Sequence, residues 1–221
     1  VQGFLGNDYV KLLRGARGDA KAGRPVDGLE YLERVVILRG DVPEGTQSWA
    51  GLMATASEVE SDAASTRAAE VGADDLSDIL FTSGTTGHPK GVMTTHGQNL
   101  KAFYAWTEVI GLEPGDRYLI VNPFFHAFGY KAGWLSALMR GTTIVPHPVF
   151  DPNAVLSRIG EERITMLPGP PALYQAILAH PDLPKHDLST LRLAVTGAAV
   201  IPVELIHRMR DELHFETIIT G

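Results

Sequence analysis

Residues 78–100 read DILFTSGTTGHPKGVMTTHGQNL, and the fold turns on how this stretch is parsed. Ile79, Leu80 and Phe81 form an apolar run that reads as a strand. From Ser83 to Gly91 the chain then holds three glycines, three hydroxyl side chains, one proline and one lysine. A helix-like pattern leads out, with Leu100, Phe103, Tyr104 and Thr107 at helical spacing. Strand, small polar loop and helix together suit an anion. Glycines let backbone N–H groups converge, hydroxyls donate, and a lysine brings a mobile charge. Lys90 follows Pro89 and precedes Gly91, so the loop is not a GxxxxGK(S/T) phosphate loop. A solvated turn has the same composition, and composition alone leaves both readings open.

Working outward, GLEPGDR (111–117) breaks the pattern, and strands are then predicted at 118–121, 142–145, 164–167, 191–195 and 217–219. Helices fill the intervals. Tyr130, Trp134, Leu135 and Leu138 predict a buried helix stopped at Gly141. Asp151 and Pro152 mark an N-cap and first turn, with Val155, Leu156 and Ile159 as the apolar face. Leu173, Tyr174, Ile177 and Leu178 mark another helix, and Pro202 opens a last one carrying Val203, Ile206, Met209 and Leu213. Strands alternating with helices of about 10–15 residues predict an α/β chain, mostly parallel sheet flanked by helices. Upstream, Tyr9, Val10, Leu12 and Leu13 look helical, and Val35–Leu38 reads as a buried strand. Asp41 to Asp78 is acidic and poor in large apolar residues, an exposed helix-and-loop connection.

With 221 residues, a formal charge of -7 and 44% hydrophobic residues, the chain has the balance of a soluble globular protein. It has no cysteine, which excludes disulfides and thiolate metal sites. No apolar run approaches the roughly 20 residues of a membrane-spanning helix. The acidity, with no offsetting stripe of Lys and Arg, argues against nucleic acid as a partner. The expectation is a cytoplasmic protein that handles small molecules.

Three segments carry a more specific resemblance. FTSGTTGHPKGVMTTHGQNL (81–100) is similar to the phosphate-binding signature of adenylate-forming enzymes, the superfamily of acyl- and aryl-CoA synthetases. PFFHAFGY (123–130) resembles the segment lining their acyl and pantetheine tunnel. VTGAAVIP (195–202) resembles the segment that packs against adenine and the acyl carboxylate. With the three in order, the chain is identified as a member of that superfamily and as an incomplete part of its N-terminal large domain.

The resemblance implies a two-step reaction with ATP, Mg²⁺ and coenzyme A. A carboxylate attacks the α-phosphate of ATP and expels pyrophosphate, and a thiol then displaces AMP. It assigns Thr82, Ser83, Gly84, Thr85, Thr86, Gly87 and Lys90 to the phosphates, with Thr85 also the Mg²⁺ contact and Lys90 offsetting charge on the leaving group. It places His126 beside the acyl carboxylate, Gly129, Tyr130, Gly169 and Tyr174 around the acid, and Gly197, Ala198 and Ala199 against the nucleotide. Ala198 stands where the family pattern has a second Gly, and Val200 where it has Pro. Without the resemblance, His126 reads as a packed side chain, 197–199 as a small-residue turn, and Tyr130 and Trp134 as core.

The same resemblance divides the chain near EPGD (113–116). Residues 1–115 would be part of a first subdomain with the phosphate loop, and 116–221 part of a second with the acyl and adenine pocket. The family's Y-G-x-T-E motif and its C-terminal catalytic lysine are not in the chain, so it is expected to be an internal fragment, inactive alone. Lys131 and Lys185 lie in no matching motif. VNPFFHAFGYKAG (121–133) and RITMLPGPPALYQAIL (163–178) resemble actinobacterial CoA ligases of steroid-ring catabolism, which implies a ring-derived propionate as the acid. A medium- or long-chain fatty acid, or a nucleotide-binding piece without catalysis, are the alternatives.

Overall fold

The computed structural model describes residues 3–4, 6–17, 25–84 and 87–221. The chain divides into two units, Val1–Val71 and Gly72–Gly221.

In the first unit, β1 (Gly3–Phe4) pairs antiparallel with β2 (Asn7–Asp8), and α1 (Tyr9–Arg17) follows directly. The Asp8 carboxylate accepts from the Lys11 N–H at 2.9 Å, which satisfies a free donor at the start of α1. β3 (Val36–Ile37) pairs parallel with β4 (Gln47–Ser48). The strand expected at Val35–Leu38 is therefore shorter, and only partly buried: Ile37 is enclosed while Leu38 is 53% exposed. Its pairing with β4 covers two residues, too few to bury both faces. Ser48 then caps α2 (Trp49–Ala54) by accepting from the Gly51 N–H at 2.9 Å. α3 (Ala63–Glu70) buries no residue, as the acidic composition of this region requires.

The second unit opens with an antiparallel hairpin, β5 (Leu76–Thr82) and β6 (Lys90–Thr95), in which Thr82 pairs with Lys90. This corrects the expected strand–loop–helix order. The polar loop joins two strands, and Lys90 begins a strand; α4 (His96–Ile110) starts only after β6. The helix begins where a capping box forms. The Gln98 N–H donates to Thr95 Oγ1 at 3.3 Å, and the Thr95 N–H donates to Gln98 Oε1 at 3.0 Å. Gly84 has φ +67°, and a Cβ there would lie 2.0 Å from the His88 carbonyl oxygen, so the loop closes only around glycine.

Beyond Asp116 the alternation becomes a parallel sheet. β7 (Arg117–Ile120) is followed by a π-helical turn, Phe128–Leu135, then α5 (Ser136–Arg140) and β8 (Thr143–Pro146). α6 (Pro152–Glu161), α7 (Pro171–Leu178), β9 (Leu193–Thr196), α8 (Val203–Leu213) and β10 (Thr217–Thr220) complete it. β8 pairs with β7, and β9 with β10, all parallel. Between β7 and β9 the strand expected at 164–167 is reduced to a bridge at Met166. The bonds Leu119 N–H to Met166 O at 3.0 Å and Leu167 N–H to Leu193 O at 3.1 Å keep that ladder continuous.

Both faces of this sheet are covered, and the two-residue period of a strand sorts its side chains between them. Leu119, Leu167 and Ala194 pack with α6, α7 and α8 in one core. Tyr118, Ile120, Met166, Leu193 and Val195 pack with Ile110 of α4 and Ala137 of α5 in the other. Asp151 accepts from the Ala154 N–H at 2.8 Å, and Val155, Leu156 and Ile159 are fully buried, as expected for α6. In α8, Leu205, Met209 and Leu213 are buried, whereas Val203 is 72% exposed. The helix expected from Tyr130 to Leu138 buries a different face: Gly129, Lys131, Ala132, Gly133, Ser136 and Ala137 are inside, and Leu138 is 63% exposed. Gly133 leaves the helical region at φ -87° and ψ -106°, and the Ser136 N–H reaches back to both the Gly133 and Lys131 carbonyls, so the stretch is kinked and the 3.6-residue period used to read it does not hold.

The strand starts are tied by one buried carboxylate. Asp116 accepts from the Glu113 N–H at 2.8 Å, from Thr165 Oγ1 at 2.7 Å and from Arg192 Nε at 2.9 Å. It thus joins the residues preceding β7, Met166 and β9, and the opposite edge of the sheet is left to loops.

Candidate functional site

At the carboxyl ends of the strands lies a cavity of about 520 Å³. Asn122 follows β7, Gly169 and Pro170 follow the Met166 bridge, Thr196 to Ala198 end β9, and Ile219 and Gly221 belong to the end of β10. Trp106 of α4, with His126 and Phe128 from the connection after β7, completes the lining. A parallel sheet offers this edge to ligands because its loops diverge there. Trp106 and Phe128 meet edge to face with ring centres 6.3 Å apart.

Two lining residues carry polar atoms with nothing to bond. Asn122 Oδ1 and Thr196 Oγ1 are buried without a hydrogen-bond partner. Leaving such an atom unpaired costs about 1–3 kcal/mol, so a ligand that pairs with it recovers part of that cost. His126 is exposed, and its Nδ1 accepts from the Phe128 N–H at 3.1 Å. That bond makes Nε2 the protonated ring nitrogen of the neutral imidazole, a donor able to meet an anionic oxygen. Ala198 has φ 63°, the left-handed conformation that glycine adopts freely.

Of the residues expected at the site, the cavity gathers His126, Gly169, Gly197 and Ala198. Thr82, Ser83, Gly84, Gly87 and Lys90 lie on the β5–β6 hairpin and are not among the lining residues; all but the half-buried Gly84 are exposed. Thr85 and Thr86, including the expected Mg²⁺ contact, lie outside the described residues. Ala199 is exposed beside the cavity. Gly129 is buried against the preceding backbone, where a Cβ would sit 2.2 Å from the Pro123 carbonyl oxygen. Tyr130 stacks on Trp134 at 4.7 Å and reaches Asp78 with its hydroxyl. Tyr174 is fully buried in the core and donates to the Leu167 carbonyl at 2.7 Å. Thr196 and Phe128 lie inside the segments that carry the resemblance, 195–202 and 123–130, whereas Asn122 and Trp106 were not read as site residues. Position just after a strand end was the available signal for Asn122.

Among the described residues no group of three or more His, Asp or Glu side chains is gathered for a metal, and no helix is long and apolar enough to cross a membrane.

The pattern of the AMP-binding enzyme family matches residues 20–221. The chain is 49% identical over 219 residues to the 3-(7a-methyl-1,5-dioxo-octahydro-1H-inden-4-yl)propanoyl:CoA ligase of Rhodococcus jostii (strain RHA1), covering 99% of this chain and 41% of that protein. The ligase of the same name from Mycobacterium tuberculosis (strain ATCC 25618 / H37Rv) is 48% identical over 203 residues, covering 92% of this chain and 39% of that protein. The chain therefore spans less than half the length of the curated relatives it matches. Among solved structures, the anthranilate CoA ligase AuaEII in complex with anthranoyl-AMP is similar with a TM-score of 0.74 at 28% identity, over 87% of this chain and 37% of that chain. The hairpin loop, the His126 segment and the turn at 195–202 all fall inside the family match, and the chain belongs to the AMP-binding enzyme family.

Proposed function

We propose that the chain forms part of an ATP-dependent acyl-CoA ligase that adenylates a carboxylic acid and passes the acyl group to coenzyme A. The observation that carries the reading is the cavity, where the His126 segment and the Thr196–Ala198 turn converge on one strand-end site. In the first step a carboxylate oxygen bonds to the α-phosphorus of ATP as the bond to pyrophosphate breaks. In the second, the thiolate sulfur of coenzyme A bonds to the acyl carbon and AMP leaves.

The chain's own residues divide this work. Lys90 and the hydroxyls of Ser83, Thr85 and Thr86 hold the phosphates and offset charge on the leaving group. The hydroxyl oxygen of Thr85 is a hard donor suited to Mg²⁺, which supplies further neutralisation when bound. His126 donates from Nε2 to the acid, and Gly197 and Ala198 leave room for the flat adenine. In this reading the phosphate loop belongs to a first subdomain within 1–115 and the acid pocket to a second within 116–221.

For the acid we propose a ring-bearing propionate of the kind named for the two bacterial ligases. Each methylene that continues into a tunnel contributes about 0.8 kcal/mol, so an enzyme for long chains gains steadily with length. The test is kcat/KM of the full-length protein with the ring propionate and with straight acids of increasing length. We expect the ring acid to lead and the straight series to plateau early. A steady rise with length that surpasses the ring acid would replace this reading by a fatty-acid ligase.

A further inference from the structure

A second polar cluster includes no residue of the loop and none that lines the cavity. Asp78 of β5 pairs with Lys131 of the π-helical turn at 3.0 Å, and their side chains are 13% and 8% exposed. Lys131 Nζ also donates to Thr94 Oγ1 of β6 at 2.8 Å, and Thr94 Oγ1 donates to Asp78 Oδ1 at 2.9 Å. Asn99 of α4 donates to Asp78 Oδ2 at 2.6 Å, and Tyr130 donates to the same oxygen at 3.4 Å. Burial works to raise the Asp78 carboxyl, but the bonds from Lys131, Thr94 and Asn99 and the Lys131 charge outweigh it and hold it below its ordinary value.

A buried ion pair is a poor device for stability, because desolvation offsets most of the attraction. What this one supplies is direction. Both carboxylate oxygens are engaged from separate elements, so a small displacement of any of them breaks a bond. The elements are those that carry the proposed chemistry. β5 runs into Ser83, β6 runs out from Lys90, and the π-helical turn follows His126.

We propose that the Asp78–Lys131 pair is a positioning device for adenylation, locking the hairpin that bears the phosphate loop to the turn that follows His126. This rests on the ligase reading above. Misplacing reacting groups by about 1 Å costs on the order of a hundredfold in rate.

The test is the Asp78→Asn/Lys131→Met double variant of the full-length protein, which removes both charges and keeps side-chain size. Pyrophosphate exchange should show kcat reduced roughly 10- to 100-fold, with KM for ATP and for the acid changed by less than about threefold. Lys131→Arg should recover much of the rate that Lys131→Met loses. If the double variant does not fold, Thr94→Val, which removes only the hydroxyl bridging the pair, reads the same split with a smaller loss of kcat. A folded variant with kcat unchanged, or with KM alone raised, overturns the positioning role while exchange by the unaltered protein keeps the ligase reading. No exchange by the unaltered protein with any acid overturns both.

Discussion

Replacing Tyr174 by Phe separates a core role from a substrate-facing one. The ring is fully buried and meets Phe215 edge to face at 6.0 Å, contacts that Phe would keep. The hydroxyl donates to the Leu167 carbonyl at 2.7 Å and lies 3.2 Å from the Val195 carbonyl. Burial, with the nearby Tyr118, pushes the phenol well above its ordinary range, so it remains a donor at every working pH. Val195 O keeps the Gly169 N–H at 2.9 Å after the change, but the Leu167 carbonyl loses its hydroxyl partner inside the core. A lost net bond of about 1 kcal/mol, plus part of the 1–3 kcal/mol cost of an unpaired buried carbonyl, gives a loss of about 2 kcal/mol. With a urea dependence of roughly 1–3 kcal/mol per molar, the unfolding midpoint should fall by about 1 M. Steady-state kinetics on the full-length protein should show unchanged preference among acids, because Tyr174 does not line the cavity. An unmoved midpoint together with altered acid preference would refute the core assignment and return Tyr174 to the acid pocket.

Asp116→Ala should destabilise by about 3 kcal/mol, the low end for a broken buried pair because Arg192 is 27% exposed; a loss under 1 kcal/mol in equilibrium unfolding would contradict the tie across the strand starts. Lys90→Ala should leave stability unchanged, since Lys90 is exposed, yet cost roughly 2–4 kcal/mol in kcat/KM for ATP. Equal kcat/KM in the two proteins would remove Lys90 from the site. Ala198→Gly should raise stability by about 1 kcal/mol by relieving the φ of 63°, and a lowered unfolding midpoint would count against that strain. Burial and the Arg158 charge hold His147 below its ordinary value, so the unfolded chain takes up a proton that the folded one resists. Its contribution is present above about pH 6.5 and is lost as pH falls toward the lower folded value. His147→Gln should flatten the stability profile there, and parallel profiles for the two proteins would rule it out.

Much of this fold is written locally. Asp151–Pro152 and the Val155, Leu156, Ile159 spacing specify α6 because capping and amphipathic burial act within a turn or two of chain. The alternation beyond Asp116 gives a parallel sheet with both faces covered, since strands enclosed on both sides must be apolar at nearly every position. The polar loop was legible as a segment, but its continuation was not. Lys90 to Thr95 carries no strong strand signature, and only pairing with β5 makes it a strand. The capping box Thr95–Gln98, which marks where α4 begins, was present in the sequence and passed over.

Family membership follows from the sequence alone, because three of its segments resemble the family's motifs and the family pattern matches residues 20–221; the loop's composition by itself leaves a solvated turn open. The tertiary structure alone decides which of those residues meet. His126, Gly169 and Gly197 share one cavity while Tyr174 turns into the core, and Asn122 and Thr196 join it with unpaired polar atoms. Asp116 finds Arg192 across 76 residues, and Asp78 finds Lys131 on another element. Such pairings depend on the route of the whole chain and on the π-helical turn that reverses the expected face. No local period encodes either one.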